Sequence, residues 1–168
     1  MEREVLMIRE DIQVIEYSRE HAKSISEHLF EGVPEEIVEK QREELLRPGP
    51  EEVFSVCALH DGEVVGVCTG VRMRWAGSRH RIEMVQVVVH EQFRGQGIAR
   101  SMMQSIATHF SAHGVEIIQI SVKAGNFEAM GAYERIGFKK FGTLHHGLKY
   151  DDEYRDEIMM AAPIAAML

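Results

Sequence analysis

The sequence predicts a single α/β domain over residues 1–168, with a mixed central sheet flanked by helices. Three observations lead to this fold class. Runs of β-branched residues alternate along the chain with amphipathic helical patterns, as is typical of mixed α/β folds. Glycine and proline clusters separate these segments, and no linker, repeat or low-complexity stretch divides the chain. The hydrophobic content of 45% in 168 residues is sufficient for one packed core.

The first part of the chain is predicted to form one strand and two helices. Apolar and polar residues alternate over 11–17, which predicts a strand. Ser18 follows in the position of a helix cap, and the helix is expected to run to about Glu31. Gly32-Val33-Pro34 ends that helix, and a second, charged helix is expected to run to about Leu46.

A hairpin is predicted next, because the apolar runs 53–59 and 64–73 flank Asp61-Gly62, a pair typical of tight turns. A two-residue turn at this point would place Cys57 opposite Gly66. The chain has two cysteines, which fits a reducing compartment, and both are expected to be small core residues.

The second part of the chain is predicted to alternate strands and helices. Strands are expected at 81–89, at 115–122, from 136 onward and at 154–161, and helices from Gly97 to Gly114 and from Asn126 to about Arg135. The first of these helices carries a core-facing apolar stripe of Ile98, Met102, Met103, Ile106, Ala107 and Phe110. The predicted element order is therefore β-α-α-β-β-β-α-β-α-β-β.

Charge and hydropathy exclude two classes of partner. A net charge of -8 argues against general binding to nucleic acid, which requires a basic surface. No apolar run is long enough to cross a bilayer, so no membrane partner is expected. The residues Met1-Glu2-Arg3-Glu4 show no signal-peptide pattern, and the expected location is the cytoplasm.

A glycine-rich turn, Arg94-Gly95-Gln96-Gly97, joins the strand that ends near Val89 to the long helix. Glycines let the backbone approach a ligand without interference from a Cβ atom. The N-terminus of the helix adds unpaired N–H groups and the positive end of the helix dipole. The sequence therefore predicts a phosphate-binding turn here.

Three phosphate-binding patterns compete for this turn. A nucleotide P-loop requires Gly-Lys-Ser/Thr, which is absent. A dinucleotide fingerprint requires a third glycine, small enough for close helix–strand packing, and Arg100 stands at that place. The pattern Arg-x-x-Gly-x-Ala is satisfied by Arg94, Gly97 and Ala99.

This third pattern resembles motif A of the GCN5-related N-acetyltransferases, the GNAT superfamily. A second segment, Asn126-Phe127-Glu128-Ala129-Met130-Gly131-Ala132-Tyr133-Glu134-Arg135-Ile136-Gly137-Phe138, is similar to the family's Asn-x-x-Ala-x-x-x-Tyr-x-x-x-Gly-Phe segment. The two motifs stand in the order that the family has. The resemblance extends from roughly Val53 to Gly142 and implies the GNAT (acyl-CoA N-acyltransferase) fold, with acetyl-CoA as co-substrate.

The resemblance implies where the cofactor binds. The strand before the glycine turn offers backbone groups to the pantetheine arm, and the turn binds the pyrophosphate through its N–H groups. Two arginines add charge-assisted hydrogen bonds, and one face of the later helix completes the site. The residues expected to bind acetyl-CoA are Val87, Val88, Val89, Arg94, Gly95, Gln96, Gly97, Ile98, Ala99, Arg100, Asn126 and Met130.

Two residues are expected to carry the chemistry. By its position in the second motif, Tyr133 matches the family's general acid, which protonates the departing CoA thiolate. Glu83 is the candidate general base, since members of the family carry a catalytic glutamate on the strand that leads into motif A. An unbroken two-residue period would put Glu83 on the same face as Val87 and Val89.

The histidines and the cysteines are weaker candidates for a role in the site. His80 and His90 are alternative candidates for the base. Neither cysteine lies beside the motifs, so direct attack in a ternary complex is favoured over a covalent acyl-enzyme. His109 and His113 have helical spacing that could suit a metal, but no third ligand accompanies them, and no metal is expected.

The sequence thus predicts an N-acetyltransferase that transfers the acetyl group of acetyl-CoA to the primary amine of a small molecule. Two alternatives stay open: an N-terminal or lysine acetyltransferase of proteins, and a non-catalytic sensor that binds acyl-CoA. The chain is also compatible with a homodimer. The residues do not specify the acceptor.

Overall fold

The computed structural model describes residues 5–168, in which eight strands form one mixed sheet in the order β1-β2-β3-β4-β5-β6-β8-β7. The strands are β1 (Leu6–Arg9), β2 (Ile12–Glu16), β3 (Val53–His60), β4 (Glu63–Arg72), β5 (Arg81–Val89), β6 (Ile117–Lys123), β7 (Lys139–Tyr150) and β8 (Glu153–Pro163). The helices are α1 (Ala22–His28), α2 (Glu35–Leu46), α3 (Ile98–Ser111) and α4 (Phe127–Ile136). Only β5 and β6 pair in parallel among these strands. The mixed α/β fold class is confirmed.

Helices cover both faces of the sheet. The apolar stripe predicted for α3 is fully buried, and it packs in one core cluster with Ile82 and Met84 of β5. Residues of α4 belong to the same cluster. On the opposite face, Ala22 and Ile25 of α1 and Val38 of α2 form a second, smaller cluster with neighbouring strand residues. Each large apolar side chain buried in this way contributes about 1.5–3 kcal/mol to stability.

Two glycines of β4 allow α3 to lie close to the sheet. A Cβ atom on Gly70 would stand 2.7 Å from Ile106 Cγ2 and 2.8 Å from Phe110 Cε2. A Cβ atom on Gly66 would stand 3.0 Å from Met102 Cε. The part of α3 from Met102 to Phe110 therefore packs closely on β4, which is the strand next to the site described below.

A buried guanidinium fastens α2 to the other face of the sheet. Arg42 Nη1 donates to Ser55 Oγ at 2.9 Å and to Thr69 Oγ1 at 3.1 Å. The Arg42 guanidinium also lies 5.2 Å from the centre of the Tyr17 ring, at cation–π distance. Burial lowers the pKa of Arg42 from its usual value. Because all three hydrogen-bonding side chains are buried, this contact fixes the position of α2 over β3 and β4.

The first part of the chain differs from the expectations at two points. Residues 6–9, for which no element was predicted, form β1, an edge strand of four residues. The helix expected from Ser18 to Glu31 is a short 3₁₀ turn followed by α1, which ends at His28. The turn forms because His21 Nδ1 accepts a hydrogen bond from the Ser18 backbone N–H at 2.9 Å.

The hairpin register also differs from the expectation. His60 pairs with Glu63 across the predicted two-residue turn, but Val65 has no partner on β3 and forms a bulge. Cys57 therefore lies opposite Val67 and not opposite Gly66.

Near the other end of the chain, α4 continues through Ile136, and β7 starts three residues later than predicted. The helix ends there because Gly137 has a φ of 120°.

Both cysteines are free and buried, as expected. Burial raises the pKa of the Cys57 thiol and of the Cys68 thiol to about 12. None of the helices between residues 5 and 168 is both long and apolar enough to span a membrane. The residues Met1 to Glu4, on which the expectation about a signal peptide depends, lie outside the described residues.

Gly70→Ala is expected to lower the free energy of unfolding by about 1–3 kcal/mol, because the new methyl group overlaps Ile106 and Phe110. The control is Gly77→Ala, at a glycine with open space around the new Cβ atom and no positive φ. That change should stay within about 0.5 kcal/mol of the wild type. Urea denaturation followed by circular dichroism measures both. Equal stability of the two variants would contradict the close approach of α3.

Candidate active site

The central feature of the site is the divergence of β5 and β6. The two strands pair from Arg81 with Ile117 to Met84 with Ile120, and the parallel pairing stops there. Beyond Met84, β5 continues to Val89 and keeps only its antiparallel partner β4 among the described strands. Backbone groups of β5 that face the gap therefore lack strand partners. Such groups are available to a ligand that enters between the strands.

A bulge at Gln86 exchanges the sheet faces to which the side chains of β5 point. Gln86 has a φ of 54°, and the pairing with β4 shifts by one residue at this point. As a result, Val87 and Val89 pack with the α3 side of the core, whereas Val88 packs with the α1 side. The expectation that Glu83 shares a face with Val87 and Val89 is therefore wrong. One inserted residue is sufficient to exchange the two faces.

A groove of about 590 Å³ opens between the end of β5, the start of α3 and α4. Among the predicted cofactor residues, it is lined by Val87, Val88, Val89, Arg94, Gly95, Gly97, Ile98, Ala99, Arg100 and Asn126. Tyr133 also lines it. The structure therefore brings the two sequence motifs together around one cavity.

Three predicted residues lie outside the groove lining. The Gln96 side chain is directed back to the turn, where its Nε2 atom donates to the Gln92 carbonyl oxygen at 3.4 Å. Met130 is half-buried and packs against the core. Glu83 lies further back on β5, where that strand is still paired with β6, and it is on the sheet face opposite to Ile82 and Met84.

The glycine turn has the geometry of an anion-binding loop. Gly95 and Gly97 have φ values of 74° and 81°, in the region that favours glycine, and Gly97 caps the N-terminus of α3. Nothing lies within 4 Å of a Cβ atom built on either residue, so the space in front of the turn is open. The first N–H groups of α3 have no intrahelical acceptor and are directed along the helix axis toward that space.

Positive charge predominates along the groove. Three arginines line it, Arg94, Arg100 and Arg135, against one carboxylate, Glu128. Arg94 is positioned by its Nε atom, which donates to the Val89 carbonyl oxygen at 3.1 Å. Its two terminal nitrogens make no hydrogen bond to a residue of the described chain. This charge pattern favours a phosphorylated ligand, although the chain as a whole is acidic.

The helix α4 contributes a cap and a phenol. The Asn126 side chain accepts a hydrogen bond from the Ala129 N–H at 3.2 Å and so caps the helix. Tyr133 is 8% exposed, and its ring lies 5.9 Å from that of Phe138. Its hydroxyl has no hydrogen-bond partner within residues 5–168. Burial raises the pKa of Tyr133 to about 12, with a smaller effect of Cys68, so the phenol keeps its proton at neutral pH.

Glu83 has an environment that suits a base. It is partly buried on the face away from α3, and no ion pair or hydrogen bond joins it to another described side chain. Burial raises the pKa of Glu83, and the nearby Glu157 of β8 raises it further. A carboxylate with a raised pKa binds a proton more strongly than a carboxylate in water.

The histidines considered from the sequence have other contacts. Neither His80 nor His90 lines the groove. His109 stacks on Phe54 with ring centres 3.8 Å apart, and its Nε2 atom lies 2.7 Å from the Pro50 carbonyl oxygen. His113 packs beside His109 with 4.7 Å between ring centres. Residues 5–168 contain no group of three or more potential metal ligands.

Some site residues were missed by the sequence analysis. Groove-lining residues outside the prediction are Phe93, Glu128, Ala129, Ala132, Arg135 and Ile136. On the other face, Gln119 of β6 pairs with Glu83, and its Oε1 atom is buried without a partner. A signal for Gln119 was present, because a residue between Ile118 and Ile120 in a strand must lie on the face opposite to theirs.

Comparison with known proteins identifies the family. The model of the acetyltransferase (GNAT) family matches residues 16–138, which is more than half of the chain. The chain therefore belongs to the GNAT family. Membership of this family implies acetyl-CoA-dependent acyltransferase activity.

Solved structures show the same fold at low identity. A ribosomal-protein-alanine N-acetyltransferase from Brucella melitensis has a TM-score of 0.73 and 21% identity, over 89% of this chain and 98% of that chain. A putative acetyltransferase from Salmonella typhimurium, solved with acetyl-CoA, has a TM-score of 0.72 and 14% identity, over 92% and 94%. A chimera based on spermidine N-acetyltransferase from Vibrio cholerae has a TM-score of 0.74 and 15% identity, over 94% and 98%.

Gly97→Glu is expected to abolish binding of acetyl-CoA, because a carboxylate would occupy the open space in front of α3. Gly114→Glu is a matched control at the other end of the helix, since Gly114 has a φ of 77° and equally open surroundings. Both variants carry similar backbone strain, so both should lose similar stability. Isothermal titration calorimetry with acetyl-CoA should show normal binding by Gly114→Glu alone. Normal binding by Gly97→Glu would rule out the turn as the phosphate site.

Proposed function

We propose that residues 1–168 form a single domain that transfers the acetyl group of acetyl-CoA to the primary amine of a small molecule. The acceptor attacks directly in a ternary complex. One observation carries the proposal: the glycine turn, the unpaired edge of β5 and the Tyr133 hydroxyl meet in a single groove of about 590 Å³. Its lining combines groups that bind phosphate with a phenol, which suits acetyl-CoA because that molecule carries both phosphates and a thioester.

The cofactor end of the proposal rests on charge and open backbone. The N–H groups at the start of α3 bind the pyrophosphate, and Arg94, Arg100 and Arg135 neutralise the phosphates. The pantetheine arm continues the sheet by pairing with β5 beyond Met84, where β6 has separated. These cationic side chains and open backbone groups suit acetyl-CoA, which supplies an activated acetyl group as a thioester.

The same unpaired strand polarises the thioester. Backbone N–H groups of β5 that face the gap donate to the carbonyl oxygen, on which negative charge develops as the amine attacks. Because the strand is held by β4 on its other side, these donors do not have to reorganise during the reaction. Removal of one donor of this type from an enzyme costs about 10²–10³ in rate.

Glu83 acts as the base. An alkylamine with a pKa of about 10 is neutral in only about one molecule in a thousand at pH 7, and deprotonation costs about 4 kcal/mol. The Glu83 carboxylate takes the proton directly or through a water molecule, and the neutral amine then attacks the carbonyl carbon. Its raised pKa brings it closer to the pKa of the amine.

Tyr133 stabilises the departing sulfur. Its pKa of about 12 exceeds the value of about 8.5 for an ordinary thiol, so full proton transfer to a free thiolate would be uphill by roughly 3.5 units. The hydroxyl therefore contributes mainly as a hydrogen-bond donor while the C–S bond breaks. The ammonium loses its first proton to Glu83, and the attacking nitrogen loses a second proton to water as the amide forms. The thiolate gains one proton from solvent through the hydroxyl.

Two neighbouring carboxylates favour an acceptor that carries an ammonium group. Glu83 and Glu157 interact on the other sheet face, although Arg81 and Lys123 also lie there, and the chain has a net charge of -8. Structurally similar proteins act on spermidine and on a ribosomal-protein alanine, respectively. A peptide amine is therefore the alternative acceptor that an experiment must separate from a small amine.

The proposal is tested by amine-dependent release of the free CoA thiol from acetyl-CoA. The panel contains butylamine, 1,4-diaminobutane, spermidine, Nα-acetyl-lysinamide and an alanyl peptide. Faster release with the small amines supports the proposal. Faster release with the peptide alone indicates a protein acetyltransferase. Tight binding of acetyl-CoA with no acceleration by any amine would establish a non-catalytic acyl-CoA sensor.

Tyr133→Phe is expected to lower kcat by about 10–100-fold, the loss of one hydrogen bond to a charged group. Acetyl-CoA should bind with unchanged affinity, because the phenyl ring still fills the same buried position. Steady-state kinetics and calorimetry measure the two effects separately. If affinity and kcat fell equally, Tyr133 would be a binding residue and not a participant in the chemical step.

Glu157→Gln is expected to move the acid limb of the kcat profile to lower pH. The base must be ionised, so activity rises as pH passes through the pKa of Glu83, and removal of a neighbouring negative charge lowers that pKa. Glu153→Gln, an exposed change on the same strand, should leave the limb in place. A limb that stays fixed in Glu157→Gln would exclude this coupling to Glu83.

A further inference from the structure

The side-chain oxygen of Gln119 is a buried hydrogen-bond acceptor without a partner in the described part of the chain. Gln119 stands on β6 between Ile118 and Ile120, whose side chains belong to the core on the α3 side. The Gln119 side chain is therefore on the opposite face of the sheet. Its Oε1 atom is inaccessible to solvent and accepts no hydrogen bond from any described residue. An acceptor left in this state costs free energy in the folded protein, so the site lacks a donor.

The strand register identifies the neighbouring group. Gln119 is the direct partner of Glu83 in the parallel pair of β5 and β6, and both side chains lie on the same face. An ionised carboxylate can only accept hydrogen bonds, so Glu83 in that form cannot satisfy the Gln119 oxygen. A protonated carboxyl group has one O–H donor. A protonated Glu83 therefore has the kind of donor that the Gln119 oxygen lacks, and an ionised Glu83 does not.

Other charged groups also lie on the sheet face of Glu83 and Gln119. Arg81 lies on the same face of β5, and Lys123 of β6 has its Nζ atom 5.4 Å from the centre of the Tyr150 ring. On β8, Glu157 raises the pKa of Glu83 further, after burial. From α2, Arg42 reaches the neighbouring strand at Thr69. None of these groups has an ion pair with Glu83 among the described residues.

We infer that Gln119 is a positioning residue for the base: its Oε1 atom accepts the hydrogen bond of the Glu83 carboxyl group once Glu83 has taken up the acceptor's proton. This inference rests on the proposed function of Glu83. Gln119 contacts neither the cofactor nor the amine and acts through Glu83 alone.

The proton transfer balances without any further reactant. One N–H bond of the acceptor ammonium breaks, and an O–H bond forms on Glu83. The carboxyl group then donates to Gln119 Oε1, which holds the proton away from the neutral amine while the amine attacks. The attacking nitrogen loses its second proton to water as the amide forms and the C–S bond breaks, and the CoA thiolate takes a proton from water. After the product leaves, Glu83 returns its own proton to solvent. The buried oxygen is thus unsatisfied before the step and satisfied during it.

The first test measures the pKa of Glu83 without any substrate. Carbon-detected NMR of the side-chain carboxyl group gives the titration in the wild type and in Gln119→Met, which keeps the shape of the side chain and removes the acceptor. The pKa of Glu83 should fall by about one unit, a tenfold change in the ionisation equilibrium. The control is Gln13→Met, at an exposed glutamine on β2, and it should leave the titration unchanged.

The second test is a double-mutant cycle on kcat. Gln119→Met should lower kcat about tenfold above the acid limb, because a base of lower pKa accepts the proton less readily. In a Glu83→Gln background the same change should have less than about a twofold effect, because the group it acts through is gone. The affinity for acetyl-CoA should stay constant, and the Tm should not fall, since an unsatisfied oxygen is removed.

The outcomes separate the inference from the proposed function. A rise or no change in the Glu83 pKa in Gln119→Met would overturn the inference, even if amines were acetylated normally. Equal loss of kcat in both backgrounds, or a lower Tm with weaker cofactor binding, would show a structural role and overturn it also. If the pKa falls as expected but no amine is acetylated, the hydrogen bond stands and the proposed function of the base fails.

Discussion

Parallel pairing between β5 and β6 ends at Met84 and Ile120, and the remainder of the site depends on that ending. The strands of a sheet normally satisfy each other's backbone groups, so a long continuous pair would leave no space and no donors. Because β4 still pairs with β5 on both sides of the bulge at Gln86, the unpaired side keeps its place in the sheet. The close approach of α3 to Gly66 and Gly70 then fixes the glycine turn relative to that strand.

The bulge at Gln86 divides the two halves of the reaction between the two faces of the sheet. Before the bulge, Glu83 lies on the face of α1 and α2; after it, Val87 and Val89 pack toward α3. In the proposed reaction the base and the acceptor amine lie on one face, whereas the phosphates and the leaving thiol lie on the other. The sheet itself separates them, and the thioester passes through the gap between the strands.

Local signals in the sequence were sufficient for much of this arrangement. The α3 stripe, the turn at Asp61-Gly62 and Gly97 at the helix start were predicted because each has a strong residue preference. The bulges at Val65 and Gln86 were not, since counting in twos assumes an unbroken strand and neither residue is a glycine. The face of Glu83 was wrong for that reason. The pairing of Glu83 with Gln119 depends on a contact between distant segments, which no local pattern encodes.

The two buried thiols have a consequence for following how this molecule opens. Cys57 belongs to the core cluster beneath α1 and α2, and Cys68 belongs to the cluster beneath α3. Only the thiolate is reactive, and a pKa of about 12 keeps each cysteine inert while its surroundings are intact. The rate at which a disulfide reagent labels each cysteine therefore measures how often that side of the sheet becomes exposed. The two labelling rates together report partial unfolding on each face separately.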